Sequence, residues 1–334
     1  MFEFEFVTMP DLHFDKPRLQ SILGIERAEQ LKVVAMKQVY EYAKKHGIRH
    51  IVYLGDIADQ PYLSDYSKQL FGSTVLDETE LEHHIILGNH DVEQKDVNSL
   101  TFLELFTSRN VMPNVHLYSG HHSVVINGVD VEFLSFPHKT PLKKHSLCFA
   151  HLERPGALRD NGMPNGGHGE PTPKGKNFWI MGHLHTPQEL ERTVYPGTLF
   201  QTTFGELPDK RFCHFRVNQV GKKVDVKFKS IVADKPFTLK TIKAESIKEL
   251  AEISNNKDTY YRVFYKGFEL PDDWLSEHEN VVECKSYSDS ATLTALLETE
   301  NIEWSITDGL SDFLTANGFD KKQIKKAIKL VKSL

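Results

Sequence analysis

Along the first 185 residues, apolar strand-like runs stop repeatedly on a short polar tag that carries Asp, Asn or His. Phe2 to Met9 alternates Phe2, Phe4 and Phe6 with Glu3 and Glu5, which is a strand pattern, and runs into Asp11-Leu12-His13. His50 to Leu54 ends in Gly55-Asp56-Ile57-Ala58-Asp59, and His83 to Leu87 ends in Gly88-Asn89-His90-Asp91. Further on, Leu147 to Ala150 meets His151, and Phe178 to Met181 meets Gly182-His183-Leu184-His185. Glu26 to His46 reads as a helix, with Leu31, Val34, Ala35, Val39 and Tyr42 on one face and Gly47 as its stop. A second helix is predicted over Tyr66 to Leu76. The order strand, helix, strand, helix, strand predicts an α/β fold, in which ligands collect at the carboxyl ends of the strands.

After a helix near Leu100 to Arg109 the pattern becomes one of short strands: Ser123 to Ile126, Val129 to Phe136, Leu147 to Ala150 and Phe178 to Met181. Asn127-Gly128 is a hairpin turn signal. Strands are also predicted over Thr193 to Phe204, Cys213 to Val217 and Val224 to Ser230. Residues 155–177 are rich in Gly, Pro and Asn and read as a long loop, of a length that is usually functional or disordered; its place between two of the tags leaves a lid or substrate-guiding role open. From about Asp234 strands (Thr238 to Lys243, Tyr260 to Tyr265, Val281 to Lys285) lie among helices, and Ser305 to Leu334 reads as helical with a break at Asn317-Gly318. The expected divisions are 1–233, 234–300 and 301–334.

The bulk numbers are those of an ordinary globular chain: 334 residues, 40% hydrophobic, 26% charged. A net charge of -6 argues against a surface that is basic all over. Cys148, Cys213 and Cys284 match neither a zinc site nor a disulfide frame, so a reducing, cytosolic setting is expected. The N-terminus lacks the basic start and unbroken apolar run of a signal peptide, and no stretch of about 18 apolar residues is present to span a membrane.

Residues i and i+2 of an extended segment point the same way. Asp11 with His13, and His183 with His185, can therefore each aim two groups at one cleft. Mixed carboxylate, amide and imidazole donors suit manganese, iron or zinc rather than a thiolate-bound metal. In kind and order the five tags resemble the calcineurin-like metallophosphoesterases. That resemblance implies a two-sheet αββα sandwich holding two divalent metal ions. One would be held by Asp11, His13, Asp56 and His185, the other by Asp56, Asn89, His151 and His183, with Asp56 as the bridge. Two such ions, about 3.5–4 Å apart, neutralise a phosphodiester, acidify water and stabilise the leaving oxygen. By the same resemblance His90 acts on the substrate, Asp59 orients and charges His90, and Asp91 shapes its loop. His138, at another strand end, is the alternative to His151. The remaining histidines, among them His83, His84, His121, His122 and His168, read as surface or strand residues.

Asp59-Gln60-Pro61 lacks the Arg that protein phosphatases of this superfamily carry after the Gly-Asp motif. The run Tyr195-Pro196-Gly197-Thr198-Leu199-Phe200-Gln201-Thr202-Thr203-Phe204-Gly205-Glu206, followed by Lys210-Arg211-Phe212, resembles the segment after the last metal motif of SbcD-type exonuclease subunits, in a compact, phage-like version. Met9-Pro10 before Asp11, and Glu3 and Glu5 in a strand that should be central, depart from that pattern. The resemblance implies a manganese-dependent exonuclease and endonuclease of DNA recombination, repair and replication. It would be homodimeric, paired with an SbcC-type ATPase and located in the cytoplasm, the host's if the chain is phage-encoded. Residues 234–300 would then form an α+β capping and DNA-recognition domain. The terminal helix, with Ile324, Ala327, Ile328 and Val331 in one stripe among lysines, either packs on its own domain, docks on the ATPase or touches DNA. A phosphodiesterase or phosphatase of other substrates and an inactive scaffold remain as alternatives.

Overall fold

The computed structural model describes residues 4–94, 97–108, 111–160, 163–164, 176–271 and 273–298. The elements, in chain order, begin with β1 (Phe4–Met9), α1 (Pro17–Leu23), α2 (Ile25–Lys45), β2 (His50–Leu54), α3 (Asp65–Leu76) and β3 (Glu82–Ile86). A small ribbon, β4 (Val92–Gln94) and β5 (Val97–Asn98), then leads to α4 (Thr101–Ser108) and β6 (Val115–Tyr118). Next come β7 (His121–Ile126), β8 (Val129–Leu134), β9 (Leu147–His151), β10 (Phe178–Gly182), β11 (Gln188–Leu190) and β12 (Thr193–Tyr195). The long hairpin β13 (Arg211–Val220) and β14 (Lys223–Val232) precedes β15 (Thr238–Ala244), β16 (Thr259–Tyr265), α5 (Trp274–Glu277), β17 (Val281–Ser286) and α6 (Ser290–Glu298). The chain divides into two compact units, residues 1–286 and 287–334.

Two six-stranded mixed sheets dominate the first unit. One runs β14-β13-β1-β2-β3-β6, with β1, β2, β3 and β6 parallel and β13 antiparallel to β1. The other runs β11-β12-β10-β9-β8-β7, with β8, β9, β10 and β12 parallel. Strands of a parallel core are apolar on both faces, and the two faces here go to different places. Phe4, Phe6, Val52, Leu54 and Ile86 of the first sheet share one cluster with Val131, Phe133, Phe149 and Ile180 of the second, so this core lies between the sheets. Val7, Met9, Ile51, Tyr53 and Ile85, on the opposite face, pack with Leu19, Ala35, Met36, Val39, Phe71 and Leu103 of the helices.

The outer face of the second sheet carries Cys148, Ala150, Trp179, Met181 and Tyr195, covered by Ala157 and Leu184. Among the described residues no helix contributes to that cluster, so of the expected αββα layers the described residues supply three. A separate parallel sheet, β15-β16-β17, adds Leu239 and Tyr260 to the helix-side core and has its own cluster around Tyr261, Val263 and Trp274.

Several local expectations are corrected. Pro17–Leu23 forms α1, which the periodicity alone did not mark; Pro17 sits in its first turn, where its missing N–H costs nothing. Val34 is 55% exposed, and the buried face of α2 runs instead through Ala28, Ala35, Met36, Val39, Tyr40 and Ala43. The strand expected over Thr193 to Phe204 stops at Tyr195, because Pro196 follows and Gly197 takes φ 90°. Glu5 lies in a central strand and is accommodated by cross-strand partners: its carboxylate meets His214 Nε2 and Arg216 Nε, each at 2.7 Å. His83 and His84 are strand residues but buried ones. His168, most of the 155–177 loop and the helix expected over Ser305 to Leu334 lie outside the described residues.

Candidate metal centre

The parallel strands β1, β2 and β3 end side by side, and so do β9 and β10 in the facing sheet. All five polar tags therefore fall at one end of the two-sheet core. The first two tags are tied by their backbones: Leu12 and His13 both donate N–H to Asp56 O at 2.9 Å, Phe14 donates to Ile57 O and Asp59 donates to Phe14 O. Asp91 fixes the third. Its buried carboxylate accepts from Gly88 N (2.8 Å), Ala58 N (2.9 Å), Ile57 N (3.3 Å) and Ser99 Oγ (2.9 Å). It is thus a loop-shaping group, and burial together with the charge of Asp56 pushes its pKa up to about 6.

Close approach dictates glycine at the strand ends. A Cβ on Gly88 would lie 2.0 Å from Asp56 Oδ1, and one on Gly182 would lie 2.2 Å from Leu54 O and 2.7 Å from Asp11 Oδ1. Three site residues adopt left-handed backbone: His13 (φ 48°), Asp56 (φ 49°) and His183 (φ 88°). Such conformations cost about 1–3 kcal/mol each and persist where the surroundings hold them. Around His13 the hold is a buried ion pair. Lys32 Nζ donates to His13 O at 2.6 Å and pairs with Glu29 at 2.9 Å, while Glu29 accepts from Asp15 N.

The side chains converge in two groups. Ligand-capable atoms of Asp11, His13 and His185 lie within 4.8 Å of one another, and so do those of Asp56, His151 and His183. In the first, His13 Nδ1 meets Asp59 Oδ1 at 2.9 Å, and His185 Nδ1 meets Asp160 Oδ2 at 3.0 Å and Glu206 Oε1 at 3.1 Å. With Nδ1 of each ring turned to carboxylates, both rings direct Nε2 inward, and the two Nε2 atoms stand 3.0 Å apart. At that distance a cation must lie between them: a proton, which His185 can supply because, against burial, Asp160 and Glu206 raise its pKa well above the usual value, or a metal ion in the proton's place. In the second group His151 Nδ1 donates to Leu54 O at 2.7 Å, which leaves Nε2 facing Asn89 Oδ1 at 3.0 Å and Asp56 Oδ2 at 3.1 Å. Asn89 Oδ1 also faces His183 Nδ1 at 2.9 Å. Asp11 Oδ2 accepts from His183 N at 2.8 Å, while its Oδ1 is buried with no hydrogen-bond partner. Metal-binding imidazoles are usually backed in this way by carboxylates or carbonyls. The donor set, the orphaned oxygen and the inward-facing nitrogens all fit divalent cations.

The electrostatics carry the same message. Burial, reinforced by the charge of Asp56, lifts Asp11 to about 7. Burial opposes charge on His151, yet the Asp56 carboxylate raises it to about 9. Asp56 itself is held well below the carboxylate range, against burial, by His151, His90 and His13. Burial, with Lys16 nearby, lowers His13 to about 4. One acid pushed up and another drawn down, beside imidazoles shifted in both directions, mark buried carboxylates and imidazoles that compete for positive charge, which bound divalent cations would supply.

The fold brings the side chains of Asp11, His13, Asp56, Asn89, His151, His183 and His185 close together, and Asp59 makes a different contact from the one expected. Its carboxylate engages His13 and, at 2.7 Å, Lys16 Nζ; the atom that meets His90 Nδ1, at 3.0 Å, is its carbonyl oxygen. A ligand-capable atom of His90 lies within 4.8 Å of those of His13 and Asp56. His138 lies on an exposed segment after β8 and joins no candidate metal group among the described residues. Asp160, Lys16 and the Glu29–Lys32 pair carried no sequence signal. Glu206 did, as the end of the Phe204-Gly205-Glu206 run, but its partners His185 and Lys210 are known only from the fold.

No protein-family model matches the chain. Among curated proteins it is similar to "Exonuclease subunit 1" of Enterobacteria phage T4, at 29% identity over 211 residues, covering 57% of this chain and 60% of that protein. The chain therefore spans less than two thirds of the length of this curated relative.

Proposed function

We propose that this chain is a two-metal phosphodiesterase acting on DNA, the nuclease subunit of an SbcD-type complex. The observation that carries the reading is the inward-facing imidazole pair, His13 and His185, backed by carboxylates and set beside the Asp56, Asn89 and His151 group. Asp11, His13, Asp56 and His185 would hold one ion, and Asp56, Asn89, His151 and His183 the other. Divalent cations there supply the neutralisation of a phosphodiester and the acidity that makes water a nucleophile at neutral pH.

The chain's own groups do the rest. His90 donates Nδ1–H to Asp59 O, so its neutral ring carries the lone pair on Nε2 and its protonated ring can donate from that atom. That Nε2 proton is the one given to the leaving oxygen. Against burial, His13 and Lys16 hold the Asp59 carboxylate ionised, which keeps Nε2 of His13 facing inward. DNA as substrate is supported by the similarity to a phage exonuclease subunit, by the Phe204-Gly205-Glu206 run and by the absence of an Arg after Asp59. Endonuclease action on single strands, manganese as the ion, a homodimer and an SbcC-type ATPase partner belong to the same proposal.

The test is manganese-dependent release of nucleotides from an end-labelled linear duplex, with His90→Ala alongside. Release by the wild type, lost by roughly 100-fold or more in a variant that still binds both ions, is the expected result. Hydrolysis of a simple aryl phosphodiester with no action on DNA would favour small phosphodiesters instead. No hydrolysis of either would favour the inactive scaffold.

A further inference from the structure

We infer that Asp160 is a positioning residue that, with Glu206, fixes the tautomer and orientation of His185 and so sets the affinity of one ion of the pair. This rests on the two-cation reading above.

Two carboxylates converge on a single imidazole N–H. Asp160 Oδ1 accepts from His185 N at 2.7 Å, its Oδ2 lies 3.0 Å from His185 Nδ1, and Glu206 Oε1 lies 3.1 Å from the same nitrogen. These three residues could themselves be taken for a third cation site, but Glu206 already has its counter-ion. Lys210 Nζ, 1% exposed, sits 2.6 Å from Glu206 Oε2 and 2.9 Å from Thr198 Oγ1. The cluster is therefore a clamp on Nδ1.

The two arms of the clamp differ in origin. Glu206 is locked into the core: its carboxylate also accepts from Thr202 N at 3.1 Å, and Gln201 Nε2 reaches its carbonyl at 3.3 Å. Asp160 belongs to the long connection between β9 and β10, which is laced onto the His185 turn. Leu158 N donates to Gln188 Oε1, Gln188 Nε2 donates to Leu158 O, and Thr186 Oγ1 donates to Arg159 O. Among the described residues of that connection, Asp160 is the one whose carboxylate meets a candidate ligand. In the other group, His151 Nδ1 is backed by a backbone carbonyl, Leu54 O, rather than by a carboxylate. Outer partners of metal-bound histidines are worth roughly 10–100-fold in metal affinity.

The experiment is calorimetric titration of the metal-stripped full chain with Mn2+, for wild type, Asp160→Asn and Asp160→Ala. A thermal melt in chelator checks the fold of each. Asp160→Asn keeps the size and one acceptor but replaces the oxygen at Nδ1. The inference predicts two binding steps in the wild type. One should weaken by roughly 10–100-fold in both variants while the other stays within about twofold. Long-range 15N spectra should show His185 protonated at Nδ1 in the wild type and mixed in Asp160→Ala. Two unaltered steps in both variants would overturn the positioning role while leaving the two-metal centre standing. Equal weakening of both steps, with a lowered melting temperature, would reduce Asp160 to a general structural role. Absence of any Mn2+ binding by the wild type would instead remove the two-metal reading itself.

Discussion

Asp56 lies against histidines of both candidate groups. It approaches His151 at 3.1 Å and His13 at 3.8 Å through the same oxygen, Oδ2, while Oδ1 accepts from His90 N at 3.0 Å. Asp56→Asn is predicted to lose both ions, as read by elemental analysis after gel filtration with Mn2+; two ions retained would contradict the bridging role. Gly88→Ala makes the same point sterically, because the new methyl would meet Asp56 Oδ1 at 2.0 Å. It should bind Mn2+ at least 10-fold more weakly. Gly72→Ala, on helix α3 with its nearest neighbour at 3.4 Å, should bind as the wild type does. Equal binding by Gly88→Ala and the wild type would show that the strand ends are looser than this packing implies. At this scale the sequence was legible wherever a residue stood in a strand-end tag. It was silent on Asp160, Lys16 and Glu29, whose partners are brought near only by the fold, and it assigned the Asp59 carboxylate to His90 rather than His13.

At the scale of elements, the strands that end in the tags could be read directly, since a strand buried on both faces leaves an unbroken apolar run. What could not be read were features set by neighbours. The buried stripe of α2 is rotated so that Val34 faces outward, and β1 tolerates Glu5 because His214 and Arg216 lie across from it. Strand β3 supplies a pH test. His83 is buried against Tyr53, whose hydroxyl lies 3.0 Å from Nδ1, and burial lowers its pKa from 6.5 to about 4. A lowered histidine pKa means the unfolded chain takes up the proton first. This group's contribution is therefore intact above about pH 6.5 and is lost as pH falls toward 4, by up to about 3 kcal/mol. Urea unfolding in chelator should show His83→Gln losing less stability than the wild type between pH 7 and pH 4.5. Identical losses would mean that His83 titrates normally.

For the whole molecule, the layout of two facing sheets explains how residues 172 positions apart, such as His13 and His185, come within 3.0 Å. Each sheet delivers its tags to the same end of the core. The alternating strands and helices made the α/β class legible, whereas the pairing of the two sheets depended on contacts that no local pattern encodes. The compact units part at 286/287 rather than at the expected 233/234, and β15-β16-β17 shares the helix-side core through Leu239 and Tyr260; we propose that this sheet caps the site. Residues 319–334, outside the described residues, carry the apolar stripe with its lysines. Their deletion is expected to leave Mn2+ binding unchanged and to abolish capture of an SbcC-type ATPase in a pull-down. Unchanged capture would remove docking as the role of that segment.

The most direct test of the central claim is anomalous diffraction from crystals of the full chain grown with Mn2+. The account predicts two peaks, one against Asp11, His13 and His185 and one against Asn89, His151 and His183, with Asp56 between them. A single peak, or density confined to Asp160 and Glu206, would contradict it.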